Sequence, residues 1–150
     1  MKIKKEKGFT IIEVMIVLAI AGMIMAIVFF AVPALQRNAH NTQRSSDASH
    51  LAGIVQEYAS NHQGTLPTTA QLATYIGSDK FSIMNTAVTV TASGATAVSG
   101  TTTNMVVHPG TICDTTTNKP STTNANTKSF AIDYMIELSG GGSDNACFSN

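Results

Sequence analysis

The chain has 150 residues, 43% of them apolar, with a formal net charge of zero; this leaves room for one domain and excludes a strongly basic nucleic-acid binder. The zero hides a division, because residues 1–8 carry Lys2, Lys4, Lys5 and Lys7 against only Glu6, while the remainder carries five basic and eight acidic residues, or −3. Such a remainder lacks the basic patch that phosphate contacts need, so nucleic acid is not an expected partner.

After the basic leader, Phe9 to Leu35 holds one acid, one proline and otherwise almost only apolar or small residues. Val14 to Leu35 is uncharged, and as a helix it reaches roughly 33 Å, matching a bilayer core of about 30 Å. The lysines lie on its N-terminal side and Arg37 alone follows closely at the other end. The positive-inside tendency therefore predicts a single pass, with the N-terminus in the cytoplasm and the C-terminal part exported. A secretory signal peptide is cut after its apolar core, where Ala31, Val32, Pro33 and Ala34 offer a poor site. A better break lies earlier, between Gly8 and Phe9, where cutting removes the lysines and keeps the apolar helix. Glu13 is costly in or near a membrane, and an anchor alone has no use for it. Once Phe9 is a new N-terminus, Glu13 lies four residues along on the same helical face. Its carboxylate can then pair with that amine, within the chain or on a neighbour.

The run Lys4-Lys5-Glu6-Lys7-Gly8-Phe9-Thr10-Ile11-Ile12-Glu13-Val14-Met15-Ile16-Val17-Leu18-Ala19-Ile20 resembles the N-terminal signature of type IV prepilins and the related secretion pseudopilins. The resemblance covers about the first 35 residues closely and the remainder only in its order of elements. It implies that prepilin peptidase cuts after Gly8 and N-methylates Phe9. It also implies that Glu13, at the family's fifth mature position, neutralises a neighbouring subunit's N-terminus during assembly. Partners implied in the same way are other copies in a helical filament, an assembly ATPase and a platform, and the membrane before assembly. Gly22 and Pro33 are candidates for breaking the helix in a filament; Pro33 is also expected to kink it, and Gly22 suits close helix packing.

Beyond Gln36 the pattern turns amphipathic, with Leu51, Ile54, Val55 and Tyr58 on one face, so the helix is expected to continue to about Ser60. His40, His50 and His62 do not converge with acids and are read as solvated. Asn61-His62-Gln63-Gly64 and Leu66-Pro67 end the helix, and the spacing of Thr68 and Gln71 predicts a capped short helix over about 69–76, closed by Gly77. Strands are expected at about 87–91, 104–108 and 129–138. The last shows the clearest alternation, with Phe130, Ile132, Tyr134, Ile136 and Leu138 facing inward. Phe81, Ile83, Met105 and Val107 complete the expected core, and Asp133 and Glu137 fall on the outer, solvated face. The fold class is α+β: a long N-terminal helix packed on a small antiparallel sheet, pilin-like by resemblance.

The Thr- and Ser-rich stretches 91–103 and 111–127 read as loops with strand pieces, and Gly140-Gly141-Gly142-Ser143-Asp144 as a turn leading to Cys147. Two cysteines in the exported part favour a Cys113–Cys147 disulfide over two buried thiols, since zinc lacks its four ligands. In the resemblance this pair bounds the disulfide-closed region near the C-terminus. Asp144 alone does not make a calcium site, so no metal and no cofactor are expected. No nucleophile, acid–base pair or phosphate loop appears at useful spacing, so no enzyme activity is expected. The organisation read from the sequence is a leader over 1–8, a transmembrane and assembly helix over 9–35 and an exported head over 36–150. The function read from it is that of a major-type pilin, stored in the cytoplasmic membrane and then built into an extracellular pilus for adhesion or motility. The alternatives are a pseudopilin or minor pilin of a secretion or DNA-uptake system, and a monomeric membrane-anchored binding protein.

Overall fold

The computed structural model describes residues 8–77, 88–97, 100, 101 and 103–150. Two compact units divide after Gln36. Helix α1, Ile11–Asn61, starts in the first and ends in the second. In the first unit no described residue is buried, and large apolar side chains from Phe9 to Leu35 all face outward. α1 stays helical through both Gly22 and Pro33, so neither interrupts it in the single chain. Pro33 removes one backbone donor and Gly22 costs about 1 kcal/mol relative to Ala, which a long uninterrupted ladder on both sides absorbs.

In the second unit α1 ends where Gly64, in the left-handed region at φ 84°, donates its N–H to Ala59 O at 2.7 Å. Helix α2, Thr69–Ile76, is capped by Thr68 in the expected capping box with Gln71. A four-stranded sheet follows in the order β1-β2-β5-β6, built from β1 (Thr89–Val90), β2 (Val106–Pro109), β5 (Phe130–Leu138) and β6 (Gly142–Ser149). Strands β3 (Ile112–Cys113) and β4 (Pro120–Ser121) form a separate two-stranded sheet.

Strands β2, β5 and β6 are antiparallel, but β1 runs parallel to β2. The sheet is thus mixed where an antiparallel one was expected, because the connection from Val90 to Val106 is long enough for the crossover a parallel pair requires. The sequence pattern puts Gly140 to Asp144 in a turn leading to Cys147 and signals no strand there. Only residues 139–141 turn, and the polar stretch after them pairs with β5 from Ala131 to Leu138. Its residues are half-exposed at the sheet's edge, so the strand carries little apolar alternation to betray it.

The core forms between the second half of α1, α2 and one face of the sheet: Leu51, Ile54 and Val55 meet Leu72, Met105, Val107, Phe130, Ile132 and Tyr134. Leu138, expected inward, is 43% exposed at the strand's end. Phe81, Ile83 and the start of the first expected strand lie outside the described residues.

The other face of β5 is covered as well, and here the outward placement of Asp133 is overturned. Asp133 is fully buried; its Oδ1 lies 2.7 Å from Nε2 of the equally buried His108, and its Oδ2 accepts the Gly100 N–H at 2.7 Å. Gly100 reaches this position because it has no side chain: a Cβ there would stand 2.7 Å from Asp133 O and 2.9 Å from Tyr134 Cα. Strand alternation assigns a face; it does not say what lies over that face.

Candidate functional site

At the N-terminal end, Gly8 and Phe9 precede the helix and are exposed, Phe9 at 89%. Helix α1 is opened by a second capping box, Thr10 with Glu13. Thr10 donates its N–H to Glu13 Oε2 at 2.8 Å and its hydroxyl to the same oxygen at 2.7 Å, while Glu13 N–H faces Thr10 Oγ1 at 3.4 Å. Sequence reasoning missed this role for Glu13, although the Thr-x-x-Glu spacing that signals it stood in plain sight. A carboxylate in the first turn also lies at the favourable end of the helix dipole. Glu13 therefore has an intrachain partner before any cleavage, and Phe9, Thr10 and Glu13 are brought within one turn.

From Val14 to Leu35 no charge follows. Among the described residues α1 is the one helix long and apolar enough to cross a membrane, with a mean hydropathy of 2.9 over its most apolar window. A family model described as the prokaryotic N-terminal methylation motif matches residues 3–29. The chain carries the prepilin signal of type IV pilins and pseudopilins. No curated protein and no solved structure matches the chain. The matched stretch takes in Gly8, Phe9, Glu13 and most of the apolar run.

In the second unit the disulfide joins Cys113 of β3 to Cys147 of β6, with Cα atoms 5.7 Å apart. It ties the small sheet to the edge of the large one. Asp114, the next residue, accepts the N–H groups of Thr117 and Thr116 and the Thr117 hydroxyl, which hold its carboxyl below the usual range.

Glu137 was placed on the solvated face, yet it is only partly exposed and meets α1. Its Oε1 accepts Arg44 Nη2–H at 2.7 Å, and this bond holds its pKa below the ordinary value. Arg44 is 4% exposed. Asn41 takes the place of a strand partner, donating to Glu137 O at 2.9 Å and accepting Glu137 N–H at 2.8 Å. Nothing in the sequence around Arg44 points to its acid; the fold supplies it from 93 residues away.

His40 is about half exposed and lies 3.7 Å from Glu137. His62 is exposed, stacked on Tyr58 and hydrogen-bonded to Tyr58 O, and His50 is exposed. Among the described residues no group of three or more His, Cys, Asp or Glu could hold a metal. The fold does assemble one hydroxyl–imidazole–carboxylate row that spacing could not reveal. Thr91 Oγ1 stands 3.1 Å from His108 Nδ1, whose Nε2 meets Asp133. Ala95 O, 2.9 Å from the same Nδ1, occupies that nitrogen, and imidazole and carboxylate are both fully buried. The row clamps Thr91, Ala95 and Gly100 onto the sheet.

Proposed function

We propose that this chain is a major-type pilin, cut by prepilin peptidase between Gly8 and Phe9, N-methylated on Phe9 and polymerised through the helix that Phe9 then begins. Before assembly it is a single-pass protein of the cytoplasmic membrane, leader inside and head outside; afterwards it is part of an extracellular pilus serving adhesion or motility. Its role is structural, not enzymatic. An assembly ATPase and platform drive the polymerisation.

The observation that carries this reading is the pairing of a wholly outward-facing apolar helix with a single acid, Glu13, one turn from the junction inside the methylation motif. An anchor needs the apolar surface but not the acid. A packed filament core uses both, burying the apolar side chains against other copies and setting the carboxylate beside a new amine. Thr10 holds that carboxylate in the precursor, so cleavage at Phe9 creates a competing cation next to an acid already in place. Gly22 and Pro33 are the positions where the helix would melt if the filament required it, since each weakens the local ladder.

The test is Glu13→Ala. Membrane insertion is expected to stay intact while filaments are lost or misaligned; a normal filament yield would sink the proposal. Gly8→Val is expected to leave the slower-migrating precursor, and appearance of the mature form would move the cut. Whether this chain forms the bulk of sheared surface filaments separates a major pilin from a minor pilin or pseudopilin, and no filaments at all leaves the anchored binding protein.

A further inference from the structure

Along its second half, helix α1 is held in two different ways. From Ala48 onward its buried side chains are apolar or aromatic: Ala48, Leu51, Ala52, Ile54, Val55 and Tyr58. Before Ala48 its buried residues are Arg44 and Asp47. Among the described residues, the hydrogen bonds and ion pairs that reach the sheet from residues 37–46 go to one residue, Glu137 of β5. Asn41 holds the Glu137 backbone, taking its N–H at Oδ1 and giving Nδ2–H to its carbonyl. Arg44 closes the ring: Nη1–H donates to the same Asn41 Oδ1 at 3.2 Å, and Nη2–H donates to Glu137 Oε1 at 2.7 Å. Half-exposed His40 stands 3.7 Å from that carboxylate oxygen.

This part of the docking depends on a charge that acid removes. Arg44 is 4% exposed, and its Nε has no hydrogen-bond partner among the described residues. The guanidinium is therefore already short of one acceptor. The Glu137 side chain is 30% exposed, so water can protonate it in place. A neutral Glu137 no longer balances Arg44, and a buried cation that loses its acid is costly to keep buried. From α1 the groups facing Glu137 are Arg44 and His40, the latter a cation once protonated. From β6, Ser143 stands opposite; Asp144, that strand's one acid, pairs with Ile136 and accepts the Asn145 N–H. Asp47, one turn beyond Arg44, takes Gln43 Nε2–H at 3.4 Å. Arg44 holds the Glu137 carboxyl below its usual range. The bond is thus fully present above the unfolded value, about 4.3, and is lost as pH falls through the folded one. A segment held by few apolar contacts can open locally, ahead of global unfolding.

We propose that Asn41, Arg44 and Glu137 form an acid-released latch, which frees the 40–44 turn of α1 from β5 while the apolar core stays folded. This holds whether or not the chain polymerises. The test is amide hydrogen exchange by NMR on the full chain in micelles, from about pH 7 to about pH 3, corrected for the intrinsic pH dependence of exchange. The Glu137 N–H reports the latch, and the amides of Ile132 and Phe148 report the core. In acid the Glu137 N–H should lose protection about tenfold, the scale of one partly exposed charged bond, at a pH where the core amides are unchanged. Glu137→Gln should show that loss already at pH 7, with little further change in acid. Asn41→Ala should expose the same amide at every pH. If Glu137→Gln also weakens the core amides, the wild-type pH series decides alone. Joint loss of protection at Glu137 and in the core would overturn the proposal. So would a Glu137 N–H that stays protected in acid because Asp47 takes over Arg44, or a Glu137→Gln chain as protected there at pH 7 as the wild type.

Discussion

Replacing Asp133 by alanine removes a carboxylate from a site with no access to water. Two donors lose their acceptor: the Gly100 N–H, 2.7 Å from Oδ2, and the His108 ring nitrogen 2.7 Å from Oδ1. An orphaned buried polar group costs about 1 to 3 kcal/mol, and two are orphaned here. Because His108 is itself 0% exposed and cannot turn to solvent, Asp133→Ala is expected to destabilise the Arg37–Asn150 unit by about 2 to 6 kcal/mol. That is a large part of the roughly 5 to 15 kcal/mol available to a domain. Asp133→Asn keeps the shape and one acceptor oxygen, so about half the loss is expected. Urea unfolding of the full chain in micelles, followed by tyrosine fluorescence, measures this directly, because Tyr58, Tyr75 and Tyr134 all lie in that unit. If alanine came within about 0.5 kcal/mol of the wild type, or asparagine fared no better than alanine, the clamp would not stabilise the fold.

Glu137 has its folded pKa depressed, chiefly by Arg44, so its contribution is fully present above the unfolded glutamate value near 4.3 and is lost as pH falls through the folded value. Glu137→Gln should therefore be less stable than the wild type at pH 7, and the two should converge in acid; parallel stability curves would refute the pairing. Cys113 and Cys147 stand 34 residues apart, and closing such a loop stabilises by about 3 to 4 kcal/mol in the chain-entropy account. Cys147→Ser should show most of that loss in the same urea assay, and reduction of the wild type should reproduce it. Thr10→Val removes the two hydroxyl bonds with Glu13 and with them the helix cap, worth about 0.5 to 2 kcal/mol to a first turn, while the backbone N–H bond stays. Faster amide exchange confined to the start of α1 is expected, and unchanged exchange there would deny the cap.

The methylation motif and the apolar helix were legible because their signals are local. Basic residues, Gly8, Phe9, one acid and an uncharged apolar run follow one another in the chain, and no distant residue alters that pattern. The same holds for α2, whose capping box and closing glycine lie within ten residues, and for β5, whose alternation is its own. Where a local rule was not applied, as with Thr10 and Glu13, the signal was present and unused.

What the tertiary structure decided is what lies across each face. The sequence by itself determined that β5 has an apolar side and a second side bearing Asp133 and Glu137. It could not say that Gly100 and His108 close over Asp133, or that Arg44 of α1 reaches Glu137, because those partners come from positions 25 to 93 residues away. Nor could it show β6, whose strand character rests on pairing with β5 more than on its own composition. A polar side chain is solvated or buried according to what packs over it, and that depends on the whole chain's path.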